Sequence, residues 1–404
     1  MLKGHIVKTC LIKASLLVMG IVFLAPTTAT AELELFPRPI YKSADGKLEL
    51  RARGRLIEDI VKGTDSDGQM DLSESETRAG RIGFEGSYGQ KFSFRAEAQL
   101  LDNEVNFTVV DITFKGPVDV TVGFTKMGAP MAETTSSKNI NFMERGHFTD
   151  AFDYSRGMGV MLGKSGDNWH VEAGVAKGDL NDTFSAAPLL VAGRASYAFD
   201  LNGVTLHVGA NARRRKADGS GADFGYAQRA HQHLAFKFID TNSISNKDTT
   251  LGGELALIAG PFSLDAEYSV LKADLSNPDV GDVNPTFSGG YAAASFFLTG
   301  AGRNYRPSRG TFGAPKLDSP IDKGGLGAVE AVARFDRVDL SDQAIRGGEQ
   351  DSYTFGMNWY LHQYIRIMFN YTHARIKNAN LVLTNGDDGA NTVNVAGVRL
   401  QLAW

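Results

Sequence analysis

The side chains whose spacing most suggests chemistry in this chain are arginines, which recur two residues apart. Residues 47–59, KLELRARGRLIED, place Arg51, Arg53 and Arg55 in line with Lys47 and Glu49. Leu48, Leu50, Ala52, Gly54 and Leu56 fall between them. Arg81, Arg95, Arg334, Arg366 and Arg399 stand in stretches of the same alternation. A guanidinium stays charged at physiological pH, and its planar fork offers an oxyanion two parallel hydrogen bonds. Such groups attract, hold and release anions. They do not by themselves make or break covalent bonds. Glu49, Glu85, Glu97, Asp265, Glu267 and Glu330 share the arginine face, so internal ion pairing competes for each of these cations.

Signals for covalent chemistry are poor. Residues 157–165, GMGVMLGKS, approach a phosphate-binding loop, but the pattern needs glycine where Met158 stands. The stretch also alternates like a strand instead of opening a helix. No Gly-x-Ser-x-Gly elbow occurs. His231 and His233 lack a Cys or carboxylate partner at zinc-ligand spacing. The sequence reads as a non-enzyme, with no catalytic residue, no metal and no cofactor.

Strands must position the arginines, because successive strand side chains point to opposite faces. In 91–100, Phe92, Phe94, Ala96, Ala98 and Leu100 share one face, and Ser93, Arg95, Glu97 and Gln99 the other. In 262–270, Phe262, Leu264, Ala266, Tyr268 and Val270 oppose Ser263, Asp265, Glu267 and Ser269. Ile365, Ile367, Phe369 and Tyr371 oppose Arg366, Met368 and Asn370. One such strand would suit a sandwich with its charged face in water. Repetition from end to end suits an all-β transmembrane barrel, with lipid outside and a polar lumen within.

The first 31 residues read as a secretory signal peptide. Lys3, Lys8 and Lys13 precede an apolar run over 14–25, and Ala29-Thr30-Ala31 offers a small-x-small cleavage site. Its removal takes away Cys10, the only cysteine, and leaves 39 Lys and Arg against 46 Asp and Glu. A mature chain this acidic makes a poor nucleic-acid binder. Residues 32–404 then form a single domain.

Short turns at 88–91, 115–118, 164–168, 200–203, 259–262 and 360–363 alternate with long polar segments. Those are 60–76, 127–156, 178–189, 214–248, 272–285, 299–324, 337–350 and 377–391. Short turns on one rim and long loops on the other fit an outer-membrane barrel. Seventeen strand-like runs occur. However, 203–213 and 249–259 run in opposite senses and need one connection, which expels 227–240 from the wall and leaves sixteen. The final run, 395–404, points Val398, Leu400, Leu402 and Trp404 outward, and Arg399 and Gln401 inward. A last strand with a terminal aromatic resembles the signal that outer-membrane proteins present to their barrel assembly machinery.

Several stretches resemble the phosphate-selective porin family (porin O and P type). They are LRARGRLIED (50–59), TRAGRIGFEG (77–86), TTSSKNINFMERG (134–146), GPFSLDAEY (260–268), FSGGYAAASFFLTGAGRNY (287–305), GGLGAVEAVARF (324–335) and FGMNWYLHQYIRIMFNY (355–371). The resemblance implies a sixteen-stranded trimeric barrel of the bacterial outer membrane, its third long loop folded into the lumen beside a basic ladder. Residues 127–156 would be that loop, with Lys138 and Arg145 its basic members. Arg229, His231 and His233 would belong to the ladder, and Arg51, Arg53, Arg55, Arg81, Arg95, Arg366 and Arg399 would line the lumen. The ladder departs from the strongly phosphate-binding pattern, since Gly225 and Ala227 occupy its earlier steps. Glu133 stands where a lysine is expected before TSS. Histidines there would add charge only below about pH 6.5. Arg213, Arg214 and Arg215 could form a funnel at the mouth or a rim patch bridging lipopolysaccharide phosphates.

The expected function is a water-filled outer-membrane channel for small hydrophilic solutes, with anions such as phosphate or polyphosphate in the lead. A general, weakly selective diffusion porin is the first alternative. A barrel lipase would need a Ser–His pair on the lipid-facing rim. A secreted all-β binding protein is the non-transport alternative. The implied partners are outer-membrane lipid and lipopolysaccharide, small anionic solutes, the assembly machinery through Trp404, and further copies in a homotrimer.

Overall fold

Two-residue alternation builds the wall. The computed structural model describes residues 32–34, 40–101, 103–180, 187–219, 223–275, 284–299, 301–378 and 390–404. The expected leader over 1–31 lies outside the described residues. Sixteen antiparallel strands pair in chain order and close into a barrel. They are β1 (Leu48–Asp65), β2 (Asp71–Tyr88), β3 (Phe92–Leu101), β4 (Glu104–Phe114), β5 (Asp119–Thr125), β6 (Gly157–Ser165), β7 (Trp169–Lys177) and β8 (Leu189–Leu201). β9 (Val204–Lys216), β10 (Lys237–Ala259), β11 (Phe262–Leu275), β12 (Thr286–Phe297), β13 (Ala328–Asp342), β14 (Ile345–His362), β15 (Ile365–Lys377) and β16 (Asn391–Ala403) complete it. Among the described residues, no helix is long and apolar enough to cross a membrane.

The outward row is apolar and exposed, as in Leu251, Leu255, Tyr268, Phe355, Phe369 and Leu400. The inward row carries Arg55, Asp59, Glu254, Glu267, Arg334, Arg366 and Arg399, all buried. β16 closes on β1 from Ala403↔Arg55 to Val393↔Asp65. There Gly54 and Trp404 exchange main-chain hydrogen bonds of 3.1 Å each. The Trp404 ring lies where a Cβ on Gly54 would stand, so the seam needs glycine. At the β8–β9 turn, Asn202 and Gly203 both take positive φ, +56° and +87°. That pair suits a two-residue hairpin.

Three segments depart from the loop pattern read in the sequence. Residues 299–324 join β12 to β13 on the short-turn rim, not the long-loop rim. Polarity alone gave that segment no side; strand parity does. Residues 337–350 are mostly strand, turning at Gln343 and Ala344. Residues 60–76 are likewise mostly β1 and β2, paired as far as Thr64↔Asp71. Residues 227–240 do stay out of the wall. Phe224–Arg229 pairs with the start of β10, whose wall pairing to β9 begins only at Lys247.

The interior is packed at the long-loop end. Helices α1 (Met131–Thr134) and α2 (His147–Ala151) lie within the segment joining β5 to β6, and α2 packs against the Phe224–Arg229 hairpin. Phe148, Phe152, Tyr226, Phe238, Leu271, Phe287 and Leu340 form one buried apolar cluster there. Each such side chain stabilises by roughly 1.5–3 kcal/mol. Leu271, Phe287, Leu340 and Val393 are therefore inward and apolar, because their strand ends face a packed hairpin and not water.

Candidate functional site

The segment 126–156 crosses the lumen and is fastened to the opposite wall by inward polar residues. Arg366 of β15 donates to the Ile140 carbonyl at 2.7 Å and to Gln401 at 2.8 Å. Asn358 of β14 donates to the Asn141 carbonyl at 2.8 Å, and Asn370 accepts from the Met143 N–H at 2.7 Å. Arg334 of β13 binds Asp336 at 2.7 Å and donates to the Glu144 and Arg145 carbonyls, 3.1 Å each. Arg399 of β16 grips Asp59 of β1 with two bonds of 2.7 Å and reaches Glu144 at 3.1 Å. Burial alone would raise the Glu144 carboxyl. Arg78 and Arg399 outweigh it and hold the group down at about 2. Each buried cation here has a buried anion or a carbonyl, so this side of the lumen is neutral and tied.

Within the segment, Arg145 is a staple. It pairs with Glu133 at 3.1 Å and donates to the Ala132 and Thr135 carbonyls at 2.9 and 3.0 Å. Lys126 also pairs with Glu133. Burial pushes Glu133 upward, but Arg145 and Lys126 hold it below its usual value. Glu133 is thus already neutralised by its neighbours. Lys138 donates to the Trp404 main-chain oxygen at 2.9 Å, beside the barrel seam.

Two further inserts narrow the lumen. Residues 298–327 enter from the short-turn rim with paired strands Asn304–Arg306 and Thr311–Gly313. Arg194 of β8 clamps them, donating to the Arg309 and Gly310 carbonyls at 3.1 and 2.6 Å while binding Glu254 at 2.7 Å. Phe312 meets Met131, Ala256 and Ile258, and its N–H reaches Thr135 at 3.3 Å. The hairpin after β9 is the other insert. Its His231 lies 2.6 Å from His147 and also faces Arg334. His147, His231 and Asp336 could in principle gather on a metal ion. The Arg334 guanidinium, however, already binds both Asp336 and His231, so the group works as an anchor between hairpin and α2. Burial, then Arg334, keeps the His147 imidazole neutral, with its pKa lowered to about 4.

The remaining side, lined by β1 to β5, is cationic. Arg53 reaches Glu97 at 3.0 Å and Glu85 at 3.2 Å, Arg55 reaches Glu97 at 3.2 Å, and Arg81 reaches it at 3.7 Å. Three guanidinium groups share one carboxylate. Arg95 pairs with Asp111. Close by, Arg156 faces Glu133, Arg145, Glu97 and Arg95, and Arg309 faces Arg306, Arg95 and Glu85. Among the described residues, no carboxylate lies within ion-pair distance of Arg156 or Arg309.

The structure sorts the sequence-derived residues accordingly. Arg53, Arg55, Arg81 and Arg95 gather on the cationic side, and Lys138 stands next to them. Arg366, Arg399 and Arg145 hold the loop. Arg51 lies nearer the short-turn rim, paired with Glu49. Arg229 is half-buried on the inner hairpin, and His233 bonds Glu76 at 2.9 Å. The expected cluster of Arg213, Arg214 and Arg215 is split by the strand itself. Arg213 and Arg215 turn inward to the Asp153 segment and Asp248, and Arg214 turns outward. Residues 157–165 are wall strand β6, paired on both sides, with no helix to seat a phosphate. Sequence reasoning missed Lys126, Arg156, Arg306, Arg309 and His147. Lys126 and Arg156 flank the crossing segment, and a loop that turns inward must bring its flanks with it. Arg306 and Arg309 were hidden by the misplaced rim of 299–324.

A closed sixteen-strand wall, greasy outside and ionic inside, defines an outer-membrane β-barrel. Three solved barrels resemble it in fold. OmpT of Vibrio cholerae in its trimer form superposes with a TM-score of 0.57 at 13% identity, covering 89% of this chain and 100% of that one. An anion-selective porin from Comamonas acidovorans gives 0.56 at 11%, covering 89% and 100%. The outer-membrane channel DcaP of Acinetobacter baumannii gives 0.56 at 10%, covering 90% and 99%. An uncharacterized protein of Caulobacter vibrioides is 31% identical over 394 residues, 93% of this chain and 78% of its own length. The family described as "Phosphate-selective porin O and P" matches residues 52–404, and the chain belongs to it. It is a porin of the bacterial outer membrane, a channel and not an enzyme.

Proposed function

We propose that this porin favours small anions, phosphate among them, along the side of the lumen lined by β1 to β5. The sharing of Glu97 by Arg53, Arg55 and Arg81 carries the reading. An ion entering a narrow lumen sheds hydration, and fixed charges of opposite sign offset that loss. Neutral pairs cannot do this; surplus cations can. Arg156, Arg309 and Lys138 add to the surplus. The resemblance to an anion-selective porin supports the same sign. Homotrimeric assembly follows the precedent of the OmpT trimer. Loss of a leader ending at Ala31 and recognition of Trp404 by the assembly machinery complete the proposed path to the membrane.

Reversal potentials across planar bilayers under a salt gradient test it. Arg156→Gln with Arg309→Gln removes two charges without unpairing a carboxylate. The anion-to-cation permeability ratio is expected to fall about sixteen-fold, since each of two charges felt at about 10 Å through water helps an anion and hinders a cation about two-fold. Inorganic phosphate should block wild-type current more than it blocks the variant. An unchanged ratio would remove these residues from the path. One observation favours weaker selectivity: Asp150, Asp153 and Asp240 line an open vestibule of about 480 Å³ with Lys237. Under that second reading wild type itself would show a ratio near one.

A further inference from the structure

The outward face of β9 to β11 breaks the apolar rule at its long-loop end. Arg214 and Lys216 on β9 and Lys272 on β11 are exposed and point away from the lumen, and Lys247 on β10 lies between them. Their strand neighbours Arg215, Asp248 and Leu271 are buried on the inner face. Lys216 stands directly opposite Lys247, and Thr249 links Arg214 to Lys272 across the three strands. Like charges directly opposite are destabilising unless something anionic lies between them. Asp274 pairs with Lys247. Among the described residues, no carboxylate lies within ion-pair distance of Arg214, Lys216 or Lys272.

Height decides what can meet the patch. From Val204 at the turn to Arg214 is ten residues. At about 3.3 Å per residue on a strand tilted about 40°, that is roughly 25 Å, the height of the lipid-facing band. Below the patch the wall is apolar, with Val208, Leu251, Leu255 and Tyr268 exposed. The cations therefore stand where hydrocarbon ends and headgroups begin. A second charged stretch at the same rim behaves differently. Arg337 on β13 binds Glu349 at 2.9 Å and Asp351 at 3.2 Å, while Lys377 and Arg375 lie opposite those same two acids. Asp339, opposite Glu349 and beside Arg337, supplies a third carboxylate, so that stretch neutralises itself.

We propose that Arg214, Lys216, Lys247 and Lys272 form a docking surface for the phosphate groups of an outer-leaflet glycolipid, lipopolysaccharide. The surface faces lipid, so a diffusing solute anion is not its occupant. The proposal rests on the membrane placement of the barrel and is independent of any anion preference in the lumen.

Native mass spectrometry of the purified full-length porin with added bisphosphorylated lipid A tests it. Near a headgroup layer each cation strengthens binding by about five-fold, so Arg214→Gln with Lys272→Gln should weaken retention by roughly twenty-five-fold. Arg337→Gln with Arg375→Gln should leave retention unchanged, and dephosphorylated lipid A should bind wild type no better than it binds the first variant. Equal retention by wild type and the first variant would overturn the proposal, as would equal loss in both variants. Heat-modifiable gel migration checks that each barrel is folded. An unaltered permeability ratio in the first variant separates this surface from the lumen.

Discussion

Arg399 and Arg53 look alike in the sequence. Both alternate with apolar residues on a strand, and both point into the lumen. Arg399 is matched by Asp59 and Glu144, is almost fully buried, and holds the crossing loop. Arg53 reaches Glu85 but shares Glu97 with two other arginines, and it stays partly exposed. The side lined by β13 to β16 is a neutral scaffold, and the side lined by β1 to β5 is a cationic surface. Strand parity fixes where an arginine points. The balance of carboxylates to cations around it fixes whether it fastens or attracts.

The sharpest way to break this division is Arg399→Ala. It leaves Asp59 and Glu144 short of their cation in a buried place, a loss of about 3–5 kcal/mol. The free energy of unfolding should fall by that amount and the loop should come loose, seen as larger and noisier single-channel current. A variant with wild-type stability and quiet current would show that this side is not the scaffold.

Acid tests the same side through His147. Its folded pKa is lowered to about 4, because burial and Arg334 oppose a second positive charge. The unfolded imidazole titrates near 6.5. Between those values the unfolded chain binds the extra proton, so stability falls as pH drops from about 6.5 to 4, by up to about 3 kcal/mol. Asp336 favours protonation, while Arg334 and the neighbouring His231 oppose it. Melting at pH 7 and pH 4.5 should therefore differ more in wild type than in His147→Gln. Equal differences would free His147 from the anchor.

The barrel was legible because alternation, turn residues and strand parity all report the same physical thing, a two-sided wall. The direction of Arg53, Arg55, Arg81, Arg95, Arg366 and Arg399 was legible for the same reason. Their partners were not. Glu97 lies 42 residues from Arg55, and Asp59 lies 340 from Arg399; only closure of the barrel brings such pairs together. Arg213 to Arg215 read as one patch because a charge run carries no facing until its strand register is known. Residues 299–324 were placed on the wrong rim for a related reason: a polar segment can fold into a polar lumen as readily as it can face water.

The cationic side is sharpened most gently by Lys138, the one group among its cations whose charge can be titrated without harsh conditions. Burial first, then the neighbouring Arg55 and Arg53, lowers its ammonium to about 8. The arginines beside it stay charged throughout this range. Raising the pH through 8 therefore removes one positive charge from the field and leaves the rest. The anion-to-cation permeability ratio should fall about three-fold between pH 7 and 9, the effect on anion and cation together of losing most of one charge at about 10 Å through water. Lys138→Met should show the lower ratio at both values and no pH dependence. A wild-type ratio that stays flat across this window would place Lys138 outside the conducting field and confine its role to the 2.9 Å bond with Trp404 at the seam.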